Sequence, residues 1–374
     1  MTLPTALADV SKSFLVFSCT GTGHEPNWQA VGGYIYNTGA LHFQRDDSPA
    51  EIVKIRWQVF EFSSGVSVER GIVDFAGTNP DSTVTISSVD TDKSFVLASL
   101  ARDGSTYGTD DFLRANLTGT TTLQLDRYAG AGGDEVDSAY WEVVEFTGAT
   151  VQRLTGTMAN GDSYEQLPIP VPVDMDRTMV LSSHTHSANA MPQDLPYVEL
   201  VTSDTVQFTR DQGDGEEDLV AYVVEFYDGT FVQHGKTTIG SGSDSVRVSL
   251  ATPVDTARTG VICPGHWTRE GTSTKDVNDS IGYSWFAFDL ADSANLDIVR
   301  GDDGDITSTA SYQLVTFEDE NYTEWTSHQE LYLNTKASGA GVTGDVYKFP
   351  VLVRLSGSNW PGSAASGGAD IRFC

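Results

Sequence analysis

Cysteine is scarce: Cys19, Cys263 and Cys374 are the only three in 374 residues. An odd total with no Cys-x-x-Cys pair builds no disulfide framework, so the redox compartment stays undetermined. No apolar run approaches the ~18 residues that cross a bilayer. Met1-Thr-Leu-Pro-Thr-Ala-Leu-Ala-Asp9 lacks the basic start and apolar core of a signal peptide, so a protein working outside a cell is expected to leave it by lysis or by a route not written in the chain. A nucleophile elbow, a phosphate loop, a helical His-Glu-x-x-His and a dinucleotide fingerprint are all missing. So is any long stretch of 3.6-residue periodicity. The reading is a non-enzymatic, all-β protein.

Positive charge is short as well. The 52 acidic residues outnumber 22 basic ones, for a net charge of −30, and only 7 of the basic residues are lysine. Such a surface repels phosphate backbones and anionic headgroups, which excludes nucleic acid as a partner and argues against membranes. High Asp with little Lys suits salty water, where repulsion is screened, and it suits ordinary acidic solubility equally well.

What is abundant is repetition. Asp9, Asp90, Asp174 and Asp255 recur at separations of 81, 84 and 81 residues, the last three after Val. Three residues on stands Lys12, Lys93, Arg177 or Arg258, followed by Ser or Thr and an apolar run. Later in each copy come Trp57-Gln-Val-Phe-Glu-Phe62, Trp141-Glu-Val-Val-Glu-Phe146, Ala221-Tyr-Val-Val-Glu-Phe226 and Tyr312-Gln-Leu-Val-Thr-Phe317. A period of this length marks an array of like modules. The expected organisation is β-sandwich repeats at 1–88, 89–172 and 173–253, a divergent repeat at 254–336, a Gly-rich linker at 337–344 and the start of a further β-domain at 345–374. Each repeat would hold six antiparallel strands in two sheets. The rival, a four-bladed propeller, needs only about half that length per blade.

The third strand of a copy, as in Val206-Gln-Phe208-Thr-Arg210, alternates with period two. Its terminal Arg (Arg45, Arg127, Arg210, Arg300) is expected to lay its stem on the core with the guanidinium in water. The fourth strand is apolar on both faces, the mark of a central strand. Its repeated Glu61, Glu145 and Glu225 could each be half of a glycosidase carboxylate pair. Recurrence at one strand position favours a structural role instead, capping backbone groups at a strand end. Gly65, Gly148 or Gly229 then marks a turn that reads as a hairpin.

Four histidines, His24, His184, His186 and His266, follow the first strand of a copy and suggest ligand-binding loops. With one Cys nearby at most, they offer too few donors for a metal within one copy, and a solvated polar loop is the simpler reading. Asp211, Asp214, Glu216 and Asp218 could ligate calcium, though their spacing is not that of an EF-hand and an acidic hairpin tip explains them too. Arg300-Gly-Asp302 spells an adhesion tripeptide, a chance match in so Gly- and Asp-rich a chain. Asn116, Asn278 and Asn321 open glycosylation sequons.

From Tyr347 the composition changes. The motifs Pro350-Val-Leu-Val-Arg-Leu355 and Gly368-Ala-Asp-Ile-Arg-Phe373 resemble the first two strands of an uncharacterised β-domain of secreted and surface proteins, often found beside concanavalin-A-like lectin modules. The resemblance covers 28 residues and implies location more than activity. In size and strand count the repeats loosely resemble H-type lectin modules, an analogy of fold class only.

These readings converge on a repetitive structural or adhesive protein of a virion tail or fibre, or of an extracellular surface appendage. Its expected partners are copies of itself, other structural subunits, or a glycan or host-surface ligand. A secreted carbohydrate-binding adhesin is the alternative, and a glycan-active enzyme a remote one.

Overall fold

The computed structural model describes residues 1–21, 30–45, 53–75, 81–102, 109, 112–128, 136–187, 195–211, 215–263, 269–270, 285–301 and 307–318. Among these, regular structure is β-strand apart from three 3₁₀ turns, Val10–Lys12, Thr91–Lys93 and Met175–Arg177. The linker at 337–344 and the segment from Tyr347 lie outside the described residues. Met1–Asp319 forms one compact unit.

The strands are β1 (Ser13–Gly21), β2 (Gly32–Asn37), β3 (Ala40–Gln44) and β4 (Val53–Glu61), then β5 (Val66–Asp74) and β6 (Asp81–Thr85). Next come β7 (Ser94–Arg102), β8 (Arg114–Gly119), β9 (Thr122–Asp126), β10 (Val136–Phe146), β11 (Ala149–Met158) and β12 (Tyr164–Pro168). They are followed by β13 (Thr178–His184), β14 (Tyr197–Thr202), β15 (Thr205–Thr209), β16 (Glu217–Phe226), β17 (Phe231–Ile239) and β18 (Ser245–Ser249). The last are β19 (Thr259–Ile262), β20 (Arg269–Glu270), β21 (Phe286–Asp292), β22 (Asn295–Arg300) and β23 (Thr307–Thr316).

Small antiparallel sheets stack in pairs: β5-β10-β7 on β6-β9-β8, β11-β16-β13 on β12-β15-β14, and β17-β23-β19 on β18-β22-β21. Alternation builds each interface. Leu219, Ala221 and Val223 of β16, for example, point at Val206 and Phe208 of β15, all buried.

The strands sharing a sandwich are not the six of one sequence period. β5 and β6 precede Val89-Asp90, yet pair with β10 and β9 that follow it. The turns at Gly65 (φ 74°) and Gly229 (φ 107°) use the left-handed conformation glycine favours. They do not close hairpins, as the pattern suggests; they carry the chain to the next sheet pair. Side-chain volume supports that choice of partner. Across the register Gly71 lies opposite Trp141, Leu154 opposite Ala221 and Gly235 opposite Tyr312, so a small residue always meets a large one.

The first sheet pair is smaller, with two strands in each sheet. It consists of β1-β4 over β2-β3, with only Met1–Leu3 running beside β3 through a bridge at Thr2 and Ala40. Among the described residues β4 pairs on one edge only, whereas β10, β16 and β23 have neighbours on both.

The four pairs close into a ring. Each fourth strand turns its second face toward the preceding pair: Glu142 accepts the N–H of Leu15, Tyr222 that of Leu117, Gln313 that of Val180 and Gln58 that of Val261. The last of these joins the first pair to the fourth. Serine hydroxyls follow the same sense, with Ser99 accepting from Gly33, Ser183 from Ala115 and Ser18 from Phe288. At the centre Phe62, Phe146, Phe226 and Phe317 form a closed circuit, with successive ring centroids 5.2, 5.3, 5.8 and 5.4 Å apart. Both-face burial of β10, β16 and β23 therefore has two sources, their own sandwich and their neighbour, whereas β4 is only half-buried. This is a ring of two-sheet sandwiches rather than of propeller blades.

Candidate functional site

The residues that repeat most strictly make turns. Asp9, Asp90, Asp174 and Asp255 each accept, through the side chain, the backbone N–H two residues on, at 2.9–3.2 Å. The hydroxyls of Ser13, Ser94, Thr178 and Thr259 donate back to the carbonyls of those same aspartates. Glu61, Glu145 and Glu225 accept the backbone N–H of Asp9, Asp90 and Asp174. Where Thr316 replaces the Glu, its hydroxyl meets that of Thr259 at 2.8 Å. The recurrent carboxylate thus occupies a strand-end hydrogen bond.

Three of the four third-strand arginines, Arg127, Arg210 and Arg300, are buried, contrary to the expectation of a guanidinium in water, while Arg45 is half-buried. Arg210 and Arg300 are 2% and 1% exposed. Arg210 donates to the carbonyls of Ala159, Asp162 and Gly215 and to Glu217, and Arg300 to those of Gly240 and Ser243 and to Ser308. The turn before the paired strand, β12 or β18, closes over the guanidinium and replaces its water. Arg300 is therefore not displayed as part of an adhesion tripeptide, and Asp302 lies outside the described residues.

His184 and His186 are 2% and 1% exposed, not on a solvated loop. Phe112 of the preceding sheet pair covers both, stacked on His184 and edge-on to His186. Nδ1 of His186 lies 3.4 Å from Glu217, whose carboxylate Arg210 holds at 3.0 Å. His24 and His266 lie outside the described residues.

Strand alternation separates the acidic run. Glu217 points inward to Arg210, while Asp218 accepts from Thr157 and lies 3.7 Å from Arg114. Glu216 is exposed and Asp211 partly so; Asp214 lies outside the described residues. No group of three or more metal-ligating side chains occurs among the described residues. Asn116 is buried against Arg153, while Asn278 and Asn321 lie outside them.

Two places were not visible in the one-dimensional pattern. Further along the first strands from the phenylalanine circuit is a cavity of about 250 Å³, lined from all four pairs by Leu15, Ser18, Cys19, Ser99, Leu181, Ser183, Cys263 and Trp285. Cys19 and Cys263 are thiols there. Glu142 lines it too. Burial pushes its carboxyl above the ordinary range, and the Arg70 guanidinium 2.8 Å away and the Leu15 N–H offset part of the rise.

The second place is the outer face of β2 and β3. Tyr34 stacks on Tyr140 at 5.4 Å and 10°, and Tyr36 and His42 lie 6.2 and 5.2 Å from Tyr34. Tyr36 is 63% exposed. At the corresponding positions the other pairs carry Asn116, Thr118 and Gln124; Glu199, Val201 and Gln207; and Asp289, Ala291 and Asp297. Setting the second strands side by side exposes that contrast, but only once their register is known.

No protein-family model matches the chain, and no curated protein matches it.

Proposed function

We propose that this chain is a non-enzymatic structural and adhesive subunit of a virion tail or fibre, or of an extracellular surface appendage. The observation that carries the reading is the use of the recurrent polar residues: the Asp and the Ser or Thr of each copy, and the Glu of the first three, hold the chain to itself. Selection for a repeated reaction would leave repeated groups facing a cleft. The net charge of −30 keeps such subunits soluble and apart from nucleic acid. The C-terminal resemblance to a domain of surface proteins points the same way.

The test is the assembly state of the purified chain by light scattering and electron microscopy, beside a screen of glycoside substrates. Ordered oligomers or filaments without turnover are expected; a monomer that hydrolyses a glycoside overturns the reading. The second reading, a secreted carbohydrate-binding adhesin, is favoured by the exposed rings of the first sheet pair.

A further inference from the structure

We propose that Tyr34, Tyr36 and His42 form a platform for the face of a neutral sugar ring. The inference rests on the adhesive half of the functional reading and names its ligand class and place. Tyr34 and His42 are directly opposed across β2 and β3, and Tyr36 follows Tyr34 on the same face two residues on. Stacking of Tyr34 on Tyr140 holds the first ring at a set angle before any ligand arrives. Among the described residues the hydroxyls of Tyr34 and Tyr36 and the ring nitrogens of His42 take no hydrogen bond within the protein. The face thus presents apolar rings rimmed by unused donors and acceptors, the combination a saccharide offers in its C–H face and hydroxyls.

The other three sheet pairs separate fold from ligand. There none of the same positions is aromatic, and Asn116, Glu199 and Asp289 bond to Arg153, Lys236 and Arg56 of the next pair. Aromatic side chains are therefore not required by this sheet. Exposing a cluster of them in water has a cost that a binding role explains. Three side chains are far too little for a protein partner, which needs about 800 Å² per side. The net charge of −30 disfavours an acidic glycan.

The test is a glycan array probed with the whole chain, followed by titration calorimetry with the best neutral oligosaccharide of glucose, galactose, mannose or N-acetylglucosamine. Tyr36→Ala is expected to weaken binding by about tenfold or more, and Tyr36→Phe by less, since the ring remains. Folding is checked by circular dichroism; Tyr36 is exposed enough for both variants to fold. Binding unchanged by Tyr36→Ala overturns the platform while leaving an adhesive protein. No binding to any neutral glycan overturns it too, and the assembly experiment then stands as a separate test of the structural role. Stronger binding of sialylated than neutral glycans also overturns it.

Discussion

Gln58 accepts the backbone N–H of Val261 at 2.8 Å and donates to the carbonyl of Thr259 at 2.7 Å, across 203 and 201 residues of chain. Gln313 makes the same two-way contact with Val180. Without the first of these the ring would lose a link between its first and fourth sheet pairs. Gln58→Ala leaves the Val261 N–H without its acceptor and is expected to cost about 1–3 kcal/mol. Hydrogen exchange should rise in β1, β4 and β19 and stay unchanged in β11 to β16; a uniform rise would contradict a local seam.

The volume exchange across the central ladder makes a second prediction. Leu154 faces Ala221 where Gly235 faces Tyr312. Gly235→Leu alone drives a side chain into the Tyr312 ring and should destabilise by about 1–3 kcal/mol. Adding Tyr312→Ala should recover about 0.5 kcal/mol or more of that loss, although Tyr312→Ala alone also destabilises. Simple additivity in the double-mutant cycle would show that the pair does not choose the neighbour.

Glu142 sets a pH dependence. Its carboxyl binds a proton more readily folded than unfolded, because burial raises its pKa above the usual 4.5. The stability it contributes is therefore present in acid and is lost as pH rises through the folded value. Glu142→Gln, which supplies the side chain found at Gln58 and Gln313, should flatten the fall in unfolding midpoint as pH rises above the ordinary carboxylate range. An unaltered pH profile would count against this assignment.

Arg210 and Glu217 form a buried ion pair beside His186. Arg210→Met strips Glu217 of its cation and frees three carbonyls, and should cost about 3–5 kcal/mol. Arg210→Met with Glu217→Leu should cost less than the single change, measured by chemical denaturation. Equal losses would mean that the carbonyl contacts, not the pair, dominate.

Asp174→Ala removes the side-chain acceptor at the start of the Met175–Arg177 turn. About 1 kcal/mol of stability should be lost, and Asp174→Asn should restore most of it. No difference between the two variants would exclude capping as the role of the repeated Asp.

Much of the fold was legible because alternation and turn chemistry are local. Val206-Gln-Phe208 predicts a strand with one core face, and β15 is that strand. Glu225 was readable as a structural cap because it recurred at a strand end. The arginines were misread because a guanidinium sheds its water only when a turn some 50 residues away supplies carbonyls, as Ala159 and Asp162 do for Arg210. His184 and His186 were misread as solvated because Phe112, from another sheet pair, covers them. The polar Gln58, Glu142 and Gln313, set in strands apolar on both faces, were the available hint of a neighbour.

By itself, the sequence determined the strand class, the period and the turn motif, since each depends on residues a few positions apart. Only the tertiary structure decided which strands share a sheet. β5 could in principle pair with β4 or with β10; it pairs with β10, where Gly71 leaves room for Trp141. It alone closed the ring through Phe62 and Phe317, and it alone set Tyr34, Tyr36 and His42 on one open face. Packing between distant segments is a property of volumes meeting in space, and a one-dimensional pattern lists those volumes without saying which of them meet.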